Sequence, residues 1–238
     1  MKVGIIQSNY IPWRGYFDFI ASVDLFVFHD DLQYTKGDWR NRNKIKTKNG
    51  LRWISVPVKY KHTEQLICDT EVDYSTNWQK SHINQFHAAY FRAPNYCDAH
   101  EILQNNFQQQ PRTISELNIS LVKDICEYLD IKTPLAMSSE YQPVGTKTER
   151  LLSILCNIGA DTYVSGPSAD GYLDKELLRK SSISVEYKRY DYPEYSQLHK
   201  SFNSNVTILD LIANCGKNCS DFLRNRAPNE VVIEGNNE

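Results

Sequence analysis

The sequence predicts an α/β fold of the Rossmann-like type: a mostly parallel sheet with an inserted β-hairpin and helical lobe. Short apolar runs typical of buried strands alternate with helical patterns near both ends of the 238-residue chain. Between those ends, a hairpin pattern and three helical patterns interrupt the alternation. Such alternation is typical of a parallel sheet covered by helices. We expect one α/β domain over 1–228, with an insertion at about 36–130, and a loosely ordered tail over 229–238.

The chain opens with a strand, a helix and a second strand. Residues 2–6 (KVGII) and 25–29 (LFVFH) are apolar runs that suit buried strands, and 15–22 suits a short helix between them. The second strand is followed directly by Asp30 and Asp31. This βαβ pattern predicts two parallel strands with a crossover helix.

The insertion begins with a predicted hairpin. Strand-like residues 40–48 and 51–60 flank Asn49-Gly50, a dipeptide that favours a type I′ turn. Apolar side chains at four-residue spacing then predict amphipathic helices. These helices are expected over 78–92, 98–108 and 114–129.

The alternation resumes after the insertion. Strands are predicted over 134–137, 162–165 and 184–190, and helices over 146–158, 173–180 and near 206–214. Thr146 with Glu149 forms a capping-box pattern, and Gly159 suits the end of that helix.

Composition bounds the class of protein. Hydrophobic residues make up 41% and charged residues 24%, which is ordinary for a globular protein, and no apolar run approaches a bilayer span. The N-terminus lacks the pattern of a signal peptide, and six scattered cysteines fit reduced thiols. The sequence therefore predicts a cytoplasmic protein. A net charge of −2 argues against a general nucleic-acid binder.

Ligands of open α/β sheets bind outside the carboxyl ends of the strands. The loops expected to converge at that edge are 7–15, 29–36, 138–146 and 165–172. The first loop leads from a strand into a helix, which is a natural anion site, and it is unusually rich in aromatic residues. Its candidate nucleotide-binding and phosphate-binding residues are Gln7, Tyr10, Trp13, Gly15 and Tyr16. The alternative is that the aromatic rings only close the top of the core.

A second candidate region is basic. Residues 36–61 contain nine Lys or Arg and one acidic residue, Asp38. Arg40 and Arg42 are candidate phosphate-binding residues, because a guanidinium can bind two oxygens of one group. Lysines 44–48 fit better as charges that protect an edge strand from aggregation.

Two further loops carry candidates. Lys147 and Arg150 lie in the first turn of the predicted 146–158 helix and are candidate phosphate-binding residues. Ser165, Gly166 and Tyr172 are candidate substrate-binding residues, although a Gly/Pro turn explains that loop equally well.

Few residues suggest catalysis. His82 is a candidate general base, although a buried structural histidine would look the same. The six histidines show no HExxH motif and no zinc-site spacing, and no metal site is predicted.

Taken together, these motifs resemble the WbqC-like protein family over nearly the full chain. The resembling positions are Gln7, Tyr10, Pro12, Trp13, Gly15, Tyr16 and Phe17; Asp30, Asp31 and Gln33; Arg40, Asn41 and Arg42; Trp53, Val56, Pro57 and Val58; Ser138 and Ser139; Lys147, Arg150, Leu151 and Leu152; Tyr163 through Asp174; and Ile208 through Leu211. The resemblance implies a role in bacterial O-antigen (lipopolysaccharide) biosynthesis, with transfer of glycine or a similar amino acid onto an amino sugar.

The leading hypothesis is therefore an aminoacyl or acyl transferase that forms an amide on a nucleotide-linked amino sugar. Asp30 or Asp31 would orient the amine or hold Mg²⁺, and ATP with Mg²⁺ would serve if the donor is an acyl-adenylate. A tRNA-linked or carrier-linked donor would remove the need for ATP. The alternatives are a nucleotidyltransferase and a non-catalytic scaffold that binds sugar nucleotides. The expected partners are small molecules, without general nucleic-acid binding or a membrane span, and a homo-oligomer is left open.

Overall fold

The computed structural model describes residues 1–234 of the chain. Its centre is a six-stranded sheet, accompanied by a separate two-stranded hairpin. In chain order the strands are β1 Lys2–Ile6, β2 Leu25–Phe28, β3 Arg42–Thr47, β4 Gly50–Ser55, β5 Leu135–Met137, β6 Thr162–Ser165, β7 Ser184–Tyr187 and β8 Glu230–Ile233. The predicted α/β class, with a mostly parallel sheet and an inserted hairpin, is confirmed.

The strand order of the large sheet is β5-β2-β1-β6-β7-β8. All neighbours are parallel except β7 and β8, which are antiparallel. From the central β1 the chain first builds outward through β2 and β5, and then returns to add β6 and β7 on the other side. The order of strands therefore reverses between β1 and β6, and a ligand of an open α/β sheet binds at such a point.

Within residues 1–234, eight helices surround the sheet and the hairpin. They are α1 Arg14–Ala21, α2 Trp78–Tyr90, α3 Tyr96–Gln108, α4 Ile114–Tyr128, α5 Lys147–Ile158, α6 Lys175–Lys180, α7 Ile208–Cys215 and α8 Ser220–Leu223. Short 3₁₀ turns lie at Ser138–Tyr141, Pro167–Gly171 and Gly216–Cys219. The predicted α2 to α7 agree with these bounds to within a few residues.

The core forms two apolar clusters on opposite faces of the sheet. The larger cluster joins α1, α2, α3, α4 and α7 to the hairpin, and the smaller one packs α5 and α6 against the other face. Close packing of α1 on the sheet depends on Gly4, because an added Cβ atom there would lie 2.3 Å from Phe19 Cε1. Because the larger cluster joins the inserted helices and the hairpin to one face of the sheet, the inserted segment shares a core with the sheet.

The hairpin turn differs from the predicted type I′ turn. Thr47 pairs with Gly50, so the linking residues are Lys48 and Asn49. Neither has the positive φ that a type I′ turn requires, whereas Gly50 has a φ of +101°. A glycine with positive φ directly after the turn is typical of a hairpin that closes with a G1 bulge.

The chain end also differs from its prediction. A loosely ordered tail is predicted over 229–238, but Glu230–Ile233 forms β8 at the edge of the sheet. Residues 235–238 lie outside the described residues. None of the helices in residues 1–234 combines the length and the apolar character that crossing a lipid bilayer requires.

Candidate functional site

A cavity of about 760 Å³ lies at the point where the strand order reverses. Its lining includes Gln7 and Asn9, which follow β1, and Ser165 and Gly166, at the end of β6 and directly after it. Its volume falls within the ~300–1,000 Å³ that is usual for small-molecule sites. The parallel sheet therefore places this cavity where ligands of such folds bind.

Aromatic rings form one wall of the cavity. This wall contains Trp13, Tyr16, Tyr172 and Tyr190. The Tyr16 hydroxyl donates to the backbone carbonyl of Gln7 at 3.0 Å, and the rings of Trp13 and Tyr190 lie 5.1 Å apart. The rings thus come from the start of α1 and the residue before it, from the segment between β6 and α6, and from the segment after β7.

Gly15 explains the position of the Trp13 ring. An added Cβ atom at Gly15 would lie 2.3 Å from the indole, so only glycine leaves room for it. Gly15 itself does not line the cavity, and the space beside it is filled by the tryptophan rather than left for a ligand.

Two cations at the start of α5, here called the cationic corner, also line the cavity. Lys147 is exposed and forms no ion pair with any residue of the described part, while Arg150 is half-buried and pairs with Asp31. Arg150 also donates to the Pro143 carbonyl at 3.2 Å. Lys147 has a φ of +48°, which is uncommon for a residue other than glycine and costs ~1–3 kcal/mol.

His29, at the carboxyl end of β2, also lines the cavity. It is 6% exposed, and its Nε2 atom is buried without a hydrogen-bond partner among residues 1–234. The pKa of His29 is lowered to about 4, chiefly by burial. The negative charge of Asp31 raises this pKa, and the positive charge of Arg150 lowers it further. The imidazole is therefore neutral at neutral pH.

Asp31 connects the histidine to the cationic corner. One carboxylate oxygen accepts a hydrogen bond from the Ser138 hydroxyl and the other accepts one from Arg150. The His29 Nε2 atom lies 3.7 Å from Asp31 Oδ1, which is too long for a hydrogen bond. Catalytic hydrogen bonds are often this long before a ligand binds.

The geometry can be compared with known proteins. The model of the WbqC-like protein family matches residues 7–221. The chain belongs to this family. It is also 46% identical over 226 residues to "Uncharacterized protein Rv1507c" of Mycobacterium tuberculosis (strain ATCC 25618 / H37Rv), covering 94% of this chain and 97% of the relative. No solved structure matches the chain.

Eight of the predicted site residues of this WbqC-like protein line the one cavity. They are Gln7, Trp13, Tyr16, Lys147, Arg150, Ser165, Gly166 and Tyr172. They come from three segments that are far apart in sequence: the stretch from the end of β1 into α1, the start of α5, and the stretch from the end of β6 to Tyr172. Asp31 lies directly behind this group, bound to Arg150.

Asp30 is placed differently. It is fully buried, and its two carboxylate oxygens accept hydrogen bonds from the Ser8 backbone N–H at 2.7 Å and from the Ser115 hydroxyl. Asp30 therefore ties the turn after β1 to α4. Asp30 is not among the residues that line the cavity, so a substrate amine or Mg²⁺ bound there would not meet its carboxylate.

Tyr10 and His82 are brought together away from the cavity. The Tyr10 hydroxyl lies 2.9 Å from His82 Nδ1, and the ring of Trp78 packs against the histidine. Burial lowers the pKa of His82 to about 4. These contacts place both residues in the core beside α2.

Arg40 and Arg42 lie beyond the cavity wall. Arg40 donates to Asn9 Oδ1 at 2.5 Å and to Asp38 at 3.1 Å, so it supports a cavity residue from behind. The Arg42 guanidinium lies over the ring of Trp53, 4.4 Å from its centroid. Arg42 therefore belongs to a neighbouring surface.

Sequence reasoning missed His29, Asn9, Ser168 and Tyr190 as lining residues. His29 had a usable signal, because it ends a strand immediately before the two aspartates. Tyr190 had none, since it comes from an irregular segment that reaches the cavity only in the folded chain. Within residues 1–234, no group of three or more His, Cys, Asp or Glu side chains is arranged to hold a metal ion.

Proposed function

We propose that this protein is an N-acyltransferase that forms an amide, of the glycyl type, on the amine of a nucleotide-linked amino sugar for O-antigen or a related surface polysaccharide. The observation that supports this most directly is the presence of neutral His29 in the same cavity as Lys147 and Arg150. One bound substrate could therefore place its amine near the base, His29, and its phosphates near the cations Lys147 and Arg150.

The cavity suits the parts of a nucleotide sugar. Its aromatic wall offers stacking surfaces for a base, which every nucleobase can use through its π face. Lys147 and Arg150 would bind the diphosphate, since charge-assisted hydrogen bonds to phosphate are the stronger kind. The side chains of Ser165 and Ser168, on the far side, can hydrogen-bond a sugar.

His29 supplies the base. As the sugar amine attacks the acyl carbonyl carbon, a C–N bond forms and the bond from that carbon to the leaving group breaks. The amine proton passes to His29 Nδ1, because Nε2 is turned toward Asp31. Asp31 would stabilise the resulting imidazolium, and a positioned base of this kind contributes ~10²–10⁴-fold to rate.

Substrate binding would strengthen this base. Burial lowers the pKa of His29, and Arg150 lowers it further, whereas Asp31 raises it. A phosphate bound to Arg150 offsets the positive charge of Arg150, so the pKa of His29 rises in the complex. Proton transfer would then depend on a correctly seated diphosphate.

ATP with Mg²⁺ does not fit the carboxylates of this site. Among the described residues, no Asp or Glu lines the cavity: Asp30 is fully buried outside it, and Asp31 is paired with Arg150. The proposal takes the acyl group as already activated on its donor.

The first experiment measures binding and turnover separately. A nucleotide amino sugar at one hundred times its dissociation constant should add ~2.7 kcal/mol of stability, visible as a rise in melting temperature. UDP- and dTDP-linked amino sugars are then incubated with glycyl-adenylate, glycyl-tRNA or a glycyl carrier protein, and amide formation is followed by mass spectrometry.

His29→Gln is the decisive variant. We expect nucleotide-sugar binding to persist and amide formation to fall ~10²–10⁴-fold. His62→Gln, an exposed histidine away from the cavity, is the matched control. Wild-type turnover in His29→Gln, or failure of every nucleotide sugar to bind, would overturn the proposal.

A further inference from the structure

Two exposed tryptophans lie side by side on the inserted hairpin. Trp39 is 43% exposed and Trp53 is 41% exposed, and their ring centroids are 5.3 Å apart. Trp39 precedes β3, and Trp53 lies on β4 opposite Lys44. A large aromatic surface left in solvent at one place is characteristic of a binding site.

Two cations accompany these rings. The Lys44 Nζ atom lies 4.6 Å from the Trp53 centroid and 5.9 Å from the Trp39 centroid, and Arg42 lies over Trp53. Neither Arg42 nor Lys44 forms an ion pair within the part of the chain that is described. We call Trp39, Trp53, Arg42 and Lys44 the tryptophan platform.

The platform adjoins the cavity of the proposed active site. A cleft of about 280 Å³ is lined by Trp39, Trp13, Asn9 and Asn43. Trp13 and Asn9 also line the main cavity, so the cleft and the main cavity have these two residues as a common wall. A molecule bound on the platform can therefore present a group to the cavity.

We propose that the tryptophan platform binds the acyl donor, through an adenosine base stacked on the indoles and a phosphate bound by Arg42 and Lys44. This inference rests on the proposed acyl transfer. An acyl-adenylate and the 3′ end of an aminoacylated RNA both carry the acyl group on an adenosine joined to phosphate. Aromatic rings beside cations recognise this combination by stacking and charge.

A second basic surface makes it possible to distinguish the two sources of adenosine, an acyl-adenylate and an aminoacylated RNA. A groove of about 970 Å³ lies at the hairpin tip, and its charged residues are Lys48, Arg52, Lys80 and Arg92, with His199 beside them. None of the four Lys and Arg side chains has an ion-pair partner among residues 1–234. An RNA could follow the ~20 Å of the hairpin to these cations, which a mononucleotide cannot reach.

The alternative role of the platform is stability alone, because cation–π pairs also hold hairpins together. The two roles differ in what the substitutions change. Removing a purely structural platform lowers the stability of the protein and leaves ligand affinity unchanged. Removing a binding platform lowers the affinity for adenosine ligands.

The test measures binding of AMP, a non-hydrolysable glycyl-adenylate analogue and a short RNA ending in CCA by calorimetry. In the Trp39→Ala/Trp53→Ala variant we expect affinity to fall about five- to 150-fold, the equivalent of ~1–3 kcal/mol per stacked base. Leu51→Ala, exposed on the same hairpin face, is the control. Arg42→Gln/Lys44→Gln gives a second reading if the tryptophan variant folds poorly.

Charge reversal then identifies the source. Lys48→Glu/Arg52→Glu/Lys80→Glu should weaken RNA binding, with a shallower salt dependence, and leave AMP binding unchanged if the donor is RNA. Lys123→Glu, an exposed lysine on α4, is the control. If the donor is an adenylate, the RNA binds no more tightly than AMP and the triple variant changes neither affinity.

Two results would overturn the platform. One is that none of the three ligands binds, and the other is that the tryptophan variant binds them as the wild type does. Either result leaves the nucleotide-sugar shift and the His29→Gln comparison intact. Conversely, failure of nucleotide-sugar binding with adenosine binding retained would refute the proposed function and keep the platform as a nucleotide site.

Discussion

Arg150 and Asp31 form an ion pair at the edge of the cavity, directly beside the ring of His29. The pair holds the guanidinium in place without a ligand, because Arg150 also donates to the carbonyl of Pro143. A phosphate that reaches Arg150 therefore meets a cation that is already positioned. The same contact couples the proposed phosphate site to the histidine, since Arg150 lowers the pKa of His29.

Replacement of Arg150 by alanine tests this coupling. We expect nucleotide-sugar affinity to fall by ~1.5–3 kcal/mol, the contribution of a hydrogen bond to a charged group. The pKa of His29 should rise at the same time, because the positive charge that lowers it is gone. Calorimetry measures the first effect, and NMR titration of the histidine ring measures the second.

Arg179→Ala is the matched control for that variant. Arg179 is also paired with a carboxylate, Glu176, but lies exposed on α6 away from the cavity. Arg179→Ala should change neither the nucleotide-sugar affinity nor the pKa of His29. An Arg150→Ala variant with wild-type affinity would exclude Arg150 from phosphate binding.

Two buried histidines predict how stability depends on pH. Burial lowers the pKa values of His29 and His82 to about 4, whereas an unfolded chain has a histidine pKa of ~6.5. Between those values the unfolded chain binds protons that the folded chain does not, so acidification favours unfolding. Stability should be complete above pH ~6.5 and fall by up to ~3 kcal/mol per histidine toward pH ~4.

Urea unfolding at a series of pH values measures this slope. His82→Gln should flatten it by about half and retain a hydrogen bond to Tyr10. His62→Gln, at an exposed position, should leave the slope unchanged. A slope that His82→Gln does not alter would mean that His82 is protonated in the folded protein.

Two glycines should be intolerant of alanine for packing reasons. A Cβ atom at Gly4 would lie 2.3 Å from Phe19, and one at Gly15 would lie 2.3 Å from the Trp13 indole. Overpacking of this kind costs ~1–3 kcal/mol. We expect both variants to lower the free energy of unfolding, and Gly15→Ala also to weaken ligand binding, because Trp13 lines the cavity.

Gly171→Ala provides the comparison. No atom lies within 4 Å of a Cβ atom added there, so its stability should match the wild type within ~0.5 kcal/mol. Equal stability of Gly4→Ala and the wild type would show that α1 can move away from β1 without cost.

The α/β fold was predictable because its signals are local. The apolar runs at β1, β2 and β6 and the four-residue periodicity of α4 specify their elements directly. Strand β8 was not predictable. Its only apolar residues are Val231, Val232 and Ile233, and the strand depends on pairing with β7. The turn type was mistaken because Asn49-Gly50 supports two hairpin closures, and cross-strand packing decides between them.

The site was predictable where a loop follows a strand. That rule found Gln7 and Ser165, because carboxyl ends of parallel strands share one edge, and the predicted start of a helix indicated Lys147 and Arg150. The rule could not tell which of Asp30 and Asp31 turns into the core. Adjacent side chains point to opposite sides, and the sequence does not show which side faces the core. Asp30 turns into the core toward Ser115, and Asp31 turns toward Arg150.

Lys46 supplies the last prediction, because the basic strand is not uniformly solvated. The lysines at 44–48 were interpreted as solvent-facing charges, but Lys46 is 4% exposed. Its ammonium donates to the carbonyls of His199 at 2.8 Å and Ser201 at 2.7 Å, and to the side chain of Gln197. Lys46 therefore fastens the irregular segment between β7 and α7 to the hairpin, together with the Thr207 backbone N–H, which donates to the Lys44 carbonyl at 3.0 Å.

Gln197 extends the connection into the core. Its amide donates at 2.8 Å to Asp210, which also accepts from the hydroxyls of Tyr90 at 2.8 Å and Tyr195 at 2.7 Å. Loss of Lys46 leaves the acceptors of the segment without their donor. Lys46→Ala should therefore lower the free energy of unfolding by at least ~1.5–3 kcal/mol.

Lys48→Ala is the matched control, because Lys48 lies two residues later on the same hairpin and is exposed. It should change stability by no more than ~0.5 kcal/mol. Lys46→Met, which keeps the apolar stem, separates the contribution of packing from that of the ammonium. If Lys46→Met is as stable as the wild type, the stem alone holds the segment, and the hydrogen bonds to His199 and Ser201 add nothing to stability.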